Sequence, residues 1–208
     1  MILTPATLAW AVEWLAARDD ALAQIAQRYG LPPLWPREPG FPTLIHIILE
    51  QQVSLASAKA AFERLRAAVS PLTPQKFLTL DDAQLKTIGF SRQKTRYGRE
   101  LARAVSHNLL DLERLAYLDD EAVRVELKQI KGIGDWTVDI YLLMALRRPD
   151  VFPPNDLALL AALQKLKGLD LRPTPAELAA VAENWRPYRA VAARLLWHFY
   201  LSEKAARR

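Results

Sequence analysis

The segment that decides the fold lies between residues 127 and 137 and reads Leu127-Lys128-Gln129-Ile130-Lys131-Gly132-Ile133-Gly134-Asp135-Trp136-Thr137. One helix is predicted to stop there and a second to start, with two glycines bracketing one apolar residue in the turn. Such a turn exposes backbone N–H groups at a helix N-terminus, where about half a positive charge favours an anion. The turn therefore suggests a clamp for a DNA phosphate, although an αα-hairpin that only reverses the chain would look the same.

Composition limits the classes of function. The 208 residues carry a net charge of +5 and are 51% hydrophobic, which permits a proper core and suits a polyanionic partner or a generic basic protein. The chain has no cysteine and only three histidines, without metal-ligand spacing, which excludes disulfides, iron–sulfur clusters and cysteine nucleophiles. No apolar run approaches the roughly 20 residues of a membrane span, so we expect a soluble cytoplasmic protein, nucleoid-associated if bacterial.

Apolar residues recur at helical spacing along nearly the whole chain, and good strand patterns are missing. The sequence predicts an all-α, two-lobed helical bundle with a helix-hairpin-helix motif at residues 119–147 and a DNA-binding cleft between the lobes. Within a single unit of residues 1–208, one lobe is expected to hold about 1–40 plus 160–208 and the other about 41–159. Longer helices are predicted at 4–17, 18–29, 41–52, 54–69, 91–108, 119–129, 135–146, 156–167, 175–183 and 188–203.

Asp156 follows the proline-containing loop 149–155 and begins one of these predicted helices. Aspartate is a favoured helix N-cap, and the helix dipole stabilises a carboxylate at that place. A carboxylate in an apolar cleft can also stabilise a developing cation or orient a water molecule. Capping and catalysis are compatible, and the local sequence alone favours capping.

Two further groups of residues have both a structural and a functional interpretation. Most aromatic residues at helical spacing should be core, but a flipped base needs aromatic or apolar walls, and Trp136 and Trp197 are candidates. Ser91, Arg92 and Lys94 begin a long helix, where the dipole disfavours cations. A phosphate would relieve that mismatch, whereas a solvated helix face would explain the same residues without a ligand.

Taken in order, five segments resemble the helix-hairpin-helix (HhH-GPD) DNA glycosylases of the 3-methyladenine DNA glycosylase II (AlkA) type. Their order and spacing match over about residues 40–200, and they comprise 48–54, 89–94, the hairpin through Thr137, 151–156, and 185–189 with 196–197. Five ordered matches are far more specific than any one of them.

The resemblance implies a monofunctional glycosylase that flips alkylated bases, such as 3-methyladenine, out of double-stranded DNA and hydrolyses their N-glycosidic bond. It implies that Asp156 is catalytic, stabilising an oxocarbenium-like sugar and helping water to attack. Relatives that also cut the strand carry a lysine at the position of Trp136, and an indole has no amine to form a Schiff base. A cationic alkylated base would stack on electron-rich rings, and the implied pocket residues are Trp136, Ile140, Tyr141 and Trp197.

The resemblance also implies how DNA would be held. Gln52, with Gln51 as second choice, would be the wedge, the residue that fills the gap left by the flipped base. Other implied DNA contacts are the backbone N–H groups of Gly132, Gly134 and Thr137 and the residues Ser91, Arg92 and Lys94. The main-chain carbonyls of Lys128, Ile130 and Ile133 would surround a Na⁺ or K⁺ ion. No other cofactor and no membrane partner is expected, and the protein should be a monomer.

This sequence departs from the family pattern at several positions. Lys131 stands where proline is usual, Asp135 puts an acid near the proposed phosphate, and Glu50 stands where a small residue is common. The β-rich N-terminal domain of larger relatives is expected to be missing. One alternative stays open, a non-catalytic HhH damage-sensing protein in which Asp156 only caps a helix. An iron–sulfur glycosylase/lyase needs a lysine at position 136 and four cysteines, and this chain has neither, so only a trapped enzyme–DNA adduct would revive it.

Overall fold

The computed structural model describes residues 2–206, and over these residues it contains helices and no strand. The described part holds twelve α-helices: α1 (Pro5–Ala16), α2 (Asp20–Tyr29), α3 (Phe41–Glu50), α4 (Leu55–Ala68), α5 (Pro74–Thr79), α6 (Asp82–Ile88), α7 (Arg92–Ser106), α8 (Asp120–Lys128), α9 (Asp135–Ile140), α10 (Leu157–Leu166), α11 (Pro175–Ala182) and α12 (Arg189–Ala205). The predicted all-α class is confirmed. Within residues 2–206, no helix has the length and apolarity needed to cross a bilayer.

Side-chain caps explain where many of these helices begin. The Oγ atoms of Ser54 and Ser91 accept the backbone N–H groups of Ser57 and Lys94, as expected for N-caps. The prediction that a helix begins at Arg18 was wrong. The Oδ1 atom of Asp19 accepts the N–H groups of the second and third residues of α2, so the helix begins at Asp20.

The helix predicted from Asp135 to Leu146 is interrupted. Its α-helical part ends at Ile140, and Tyr141–Ala145 form a π-helix. Single-turn π segments inside helices often lie at functional sites, and here the chain passes from one compact unit to the other within this turn. Hydrophobic periodicity did not reveal it, since an apolar run is compatible with either geometry.

The chain divides into two compact units, which we call the terminal unit (up to Pro36 and from Leu142 onward) and the central unit (Arg37–Tyr141). The sequence placed the second division near residue 159, eighteen residues later. The segment after Leu142 belongs to the terminal unit because its backbone is bound there. Leu3 N–H donates to the Arg147 carbonyl at 2.8 Å, and Ala190 N–H donates to the Pro149 carbonyl at 3.0 Å.

Each unit has its own core. In the central unit α3 packs against α4, α7 and α9, and its apolar side chains are buried on nearly every face, as the composition of this helix predicts. In the terminal unit α12 packs against α1, α2 and α10 and is buried from Ala190 to Trp197. The two glutamines that follow α3 and Trp197 on α12 are among the candidate site residues.

Candidate active site and nucleic-acid interface

The hairpin turn, residues 129–134, lies in the central unit between α8 and α9. Gly132 has a φ of +96°, which L-residues rarely adopt. A Cβ atom at this position would lie 2.1 Å from Cγ of Tyr97, because the tyrosine ring on α7 packs directly on the glycine. Ile133 is buried, and its N–H donates to the Ile130 carbonyl at 3.0 Å. The first glycine is therefore required by the fold of the turn.

Gly134 has a different environment. It is the N-cap of α9 with a φ of −104°, no side chain caps the helix there, and a Cβ at this position would meet nothing within 4 Å. The backbone is thus open at the N-terminus of α9, where N–H groups lack helical partners. This geometry suits an anion, as the sequence suggested.

Ion pairs tie the two hairpin helices together. Arg124 of α8 pairs with the buried carboxylate of Asp139 on α9. Lys128 Nζ lies 2.6 Å from Oδ1 of Asp135. Asp135 stood out in the sequence as an acid close to the proposed phosphate, and the lysine neutralises it.

The two glutamines after α3 have separate environments. Gln51 Nε2 donates to the Gly132 carbonyl at 2.9 Å and to Thr137 Oγ1 at 3.0 Å, so its side chain is turned onto the hairpin. Gln52 is exposed and has a φ of +57°. Val53 and Leu55 beside it are exposed apolar residues. We call residues 51–54 the wedge loop. Gln52 is the glutamine whose side chain is exposed there, and its insertion into DNA stays a prediction.

At the start of α7, Ser91 is the N-cap and Arg92 is exposed. Lys94 points instead into the protein, where its Nζ donates to the Leu49 carbonyl at 2.7 Å. Burial lowers the pKa of Lys94 from its ordinary value. The structure thus gives Lys94 a contact at the C-terminal end of α3, and the DNA contact predicted for the exposed Arg92 stays a prediction.

Asp156 lies in the terminal unit and caps α10. Its Oδ1 atom accepts three N–H groups: those of Ala158 at 3.0 Å, Leu159 at 3.1 Å and the Trp197 indole at 3.1 Å. The predicted capping role is thus observed, and the half-buried carboxylate is held in one orientation. Trp197 was expected as a pocket wall, and that role stays a prediction. The structure shows that Trp197, only 8% exposed, orients Asp156 through its indole N–H.

A second tryptophan stands next to this pair. The ring of Trp35 meets the ring of Trp197 edge-on, with 6.5 Å between centroids and an angle of 71°. Trp35 has a φ of +45°, an uncommon conformation for a residue with a large side chain. The carboxylate of Asp156 therefore lies beside two aromatic side chains: Trp197 donates to it, and Trp35 packs on Trp197.

Arg194 holds the backbone next to Trp35 in the chain. It is fully buried on α12 and donates to the carbonyls of Leu34 at 3.1 Å, Ala190 at 3.0 Å and Leu143 at 2.7 Å. Burial lowers its pKa to about 9. The contact to Leu34 fixes the residue that precedes Trp35 in the chain.

The other predicted pocket residues belong to α9 and the turn that follows it. Trp136 is half-buried. Ile140 and Tyr141 are buried, and the Tyr141 hydroxyl accepts the N–H of Gly40 at 3.0 Å. Burial raises the pKa of Tyr141. Trp136 is therefore the most accessible of the three, and a base-facing role stays a prediction for all of them.

Several residues at the site were not found from the sequence, namely Trp35, Arg37, Tyr97 and Arg194. Arg194 gave a signal, as a lone charge inside the apolar run 190–197. Glu50 gave a similar signal at the end of an apolar helix, and it is buried against Arg37 at 2.7 and 2.8 Å. Such charges indicate a buried partner without saying which residue supplies it. Tyr97 and Trp35 gave no local signal.

Comparison with known families matches residues 45–187 to the model for the HhH-GPD superfamily of base excision DNA repair proteins. The matched region contains the hairpin, the wedge loop and Asp156. It covers more than half of the chain.

Individual relatives agree with this match. The chain is 32% identical to DNA-3-methyladenine glycosylase 1 of Schizosaccharomyces pombe, over 77% of this chain and 72% of that protein. It is 29% identical to the putative DNA-3-methyladenine glycosylase YfjP of Bacillus subtilis, over 85% of this chain and 64% of that protein, so it spans less than two thirds of that relative. A solved structure of a Schizosaccharomyces pombe 3-methyladenine DNA glycosylase in complex with abasic DNA superposes with a TM-score of 0.85 and 26% identity, covering 95% of this chain and 98% of that one. The chain belongs to the HhH-GPD superfamily of base excision DNA repair proteins.

Proposed function

We propose that this protein is a DNA repair glycosylase that flips alkylated bases, of the 3-methyladenine type, out of double-stranded DNA and hydrolyses their N-glycosidic bond. The observation that carries the proposal is the fixed carboxylate of Asp156 beside Trp197 and Trp35. Family membership and the names of the relatives support the class of reaction. As in those relatives, the substrate would be DNA.

Asp156 is the catalytic residue in this proposal. When the bond between C1′ and the base breaks, the base leaves with the bonding electron pair and the sugar gains positive charge. A carboxylate held in place by three N–H donors stabilises that charge without having to reorganise. It also orients a water molecule whose oxygen bonds to C1′, while the proton passes to the carboxylate or to solvent. A cationic methylated base leaves as a neutral molecule, so the base needs no separate acid.

The proposed enzyme has no lyase activity. Strand cutting by glycosylases requires an amine that forms a Schiff base with the sugar, and Trp136 occupies the position at which the family would supply it. Its half-buried indole instead offers a face for an electron-poor, cationic base. Trp136 would therefore select for stacking and charge more than for one base shape.

The hairpin would hold the DNA backbone. The open N-terminus of α9 at Gly134 would receive a phosphate, with Gly132 shaping the turn and the Thr137 N–H in the same helical turn. The carbonyls of Lys128, Ile130 and Ile133 would hold a Na⁺ or K⁺ ion, which would add positive charge beside that phosphate. Their place in the chain supports this assignment, since they lie in the last turn of α8 and in the turn itself, and the Ile130 carbonyl, which accepts the Ile133 N–H, keeps a second lone pair. Ser91 and Arg92 at the start of α7 would extend the contact.

The proposal is tested with duplex DNA treated with a methylating agent, by identifying released bases by mass and by assaying the strand before and after alkali. We expect free methylated purines and a strand that breaks only after alkali, because a monofunctional enzyme leaves an abasic site. Binding without base release would support the damage-sensing alternative instead. Strand breaks before alkali, with an adduct trapped by borohydride, would show a lyase.

A further inference from the structure

The end of α3 is held by side chains from three other parts of the central unit. Lys94 donates to the carbonyl of Leu49 at 2.7 Å. Arg37 makes two hydrogen bonds to the carboxylate of Glu50, at 2.8 and 2.7 Å. These contacts fix the two residues that immediately precede the wedge loop. A cation at a helix C-terminus also interacts favourably with the helix dipole.

The third contact reaches the hairpin. Gln51 uses its amide nitrogen for two hydrogen bonds, to the Gly132 carbonyl at 2.9 Å and to the Thr137 hydroxyl at 3.0 Å. A carboxamide nitrogen has two hydrogens, so both of its donors are used. Thr137 is buried, and Gly132 lies under the Tyr97 ring, so neither acceptor is free to move. The wedge loop is therefore bound to the most constrained part of the hairpin.

The next residue is strained. Gln52 has a φ of +57°, although it carries a Cβ atom and is exposed. Such a conformation is unfavourable for a residue with a Cβ atom and persists only where neighbouring structure enforces it. The anchored residue immediately before it provides that constraint.

We infer that Gln51 is a positioning residue that couples the hairpin to the wedge, so that the grip on a phosphate and the insertion of Gln52 act as one rigid element. The inference rests on the proposed function, since it assumes that Gln52 fills the space of a flipped base. Gln51 itself would not touch DNA in this arrangement. Its side chain would fix the position of Gln52 relative to the hairpin when the hairpin binds the DNA backbone.

The inference predicts that Gln51 acts only through Gln52. Gln51→Met keeps the length of the side chain and removes both donors. The readout is the fluorescence of a duplex containing 2-aminopurine, which rises when the base leaves the stack. We expect Gln51→Met to lower the flipping equilibrium about tenfold in the otherwise unchanged protein, for two lost hydrogen bonds. In a Gln52→Ala background the same change should lower it less than about twofold, because no wedge remains to be positioned.

Equal losses in both backgrounds would overturn the inference, because they would show that Gln51 acts elsewhere. No loss in either background, or no flipping signal from the unchanged protein, would overturn it too. If Gln51→Met fails to fold, Thr137→Val and Thr137→Ser replace it: the valine removes one acceptor and should reproduce part of the loss, while the serine keeps it and should not. Equal flipping by these two variants would contradict the coupling.

Flipping is measured without base release, so the two proposals fail separately. An unchanged protein that flips 2-aminopurine through the Gln51–Gln52 pair but releases no methylated base would retain the inference and refute the glycosylase. Release of methylated bases together with additive effects of the two glutamine substitutions would support the glycosylase and refute the inference about Gln51.

Discussion

Substituting the two hairpin glycines one at a time tests the geometry of the turn. Gly132→Ala places a methyl group 2.1 Å from Cγ and 2.4 Å from both Cδ atoms of Tyr97, at a φ of +96°. Gly134→Ala adds the same methyl group at a φ of −104° and meets nothing within 4 Å. The pair is matched in chemistry and differs in backbone conformation and in surroundings.

The expected loss at position 132 has two parts. A residue with a Cβ atom at positive φ costs about 1–2 kcal/mol relative to glycine. Moving a packed aromatic ring to make room for a methyl group costs about 1–3 kcal/mol more. The free energy of unfolding should therefore fall by about 2–5 kcal/mol for Gly132→Ala. For Gly134→Ala the loss should stay below about 1 kcal/mol, since alanine is only a poorer N-cap.

Urea denaturation followed by circular dichroism measures both values. Tyr97→Ala in the Gly132→Ala background supplies a control, because removing the ring should remove the steric share of the loss and make the two changes non-additive. Gly132→Ala within about 0.5 kcal/mol of the unchanged protein would refute the reasoning. So would a Gly134→Ala variant that is as unstable as Gly132→Ala.

Three further predictions concern binding, catalysis and pH. Gly134→Ala should weaken duplex binding about tenfold in fluorescence anisotropy, because its methyl group enters the space proposed for a phosphate. Unchanged affinity would show that no DNA phosphate binds at Gly134. Trp197→Phe keeps an aromatic ring, though one smaller than the indole, and loses the N–H that Asp156 accepts, so single-turnover base release should slow about tenfold with binding unchanged; an unchanged rate would show that this N–H is dispensable. Burial holds the pKa of His46 below its ordinary 6.5, so the unfolded chain binds a proton there before the folded protein does. The contribution of the neutral, buried His46 to the free energy of unfolding is therefore complete above pH 6.5 and is lost as the pH falls toward the lowered pKa. His46→Phe, which preserves stacking on Phe62, should flatten the fall of Tm below about pH 6.5, and parallel curves would contradict this.

Local signals made much of the helical architecture predictable. Ser54, Ser91 and Asp156 were each predicted to begin a helix, and each caps one, because an N-cap acts on residues two or three positions away. The start of α2 was missed by two residues, because the preceding residues are also compatible with a helix. The π-helix was missed because an apolar run carries no sign of its hydrogen-bond pattern.

Contacts between residues distant in the sequence could not be predicted. Tyr97 packs on a glycine 35 positions later, and Arg194 donates to the carbonyl of Leu34, 160 positions earlier. A main-chain carbonyl has no residue-specific signature, so the sequence could not indicate that acceptor. The same holds for Gln51. The family resemblance made it the second candidate wedge, and its partner on the hairpin, the Gly132 carbonyl, has no signature in the sequence. Its role became visible only when the direction of its side chain was known.

The most direct test of the central claim compares base release by the unchanged protein and by Asp156→Asn. Asparagine also has an Oδ1 atom that can accept the N–H groups of Ala158, Leu159 and Trp197, so the helix cap and the fold should survive while the negative charge is lost. Single-turnover release of methylated purines from duplex DNA should slow by about 100-fold or more, with the Kd for DNA within about threefold. Release by Asp156→Asn within about threefold of the unchanged rate would contradict the account, because the carboxylate would then serve only to cap α10.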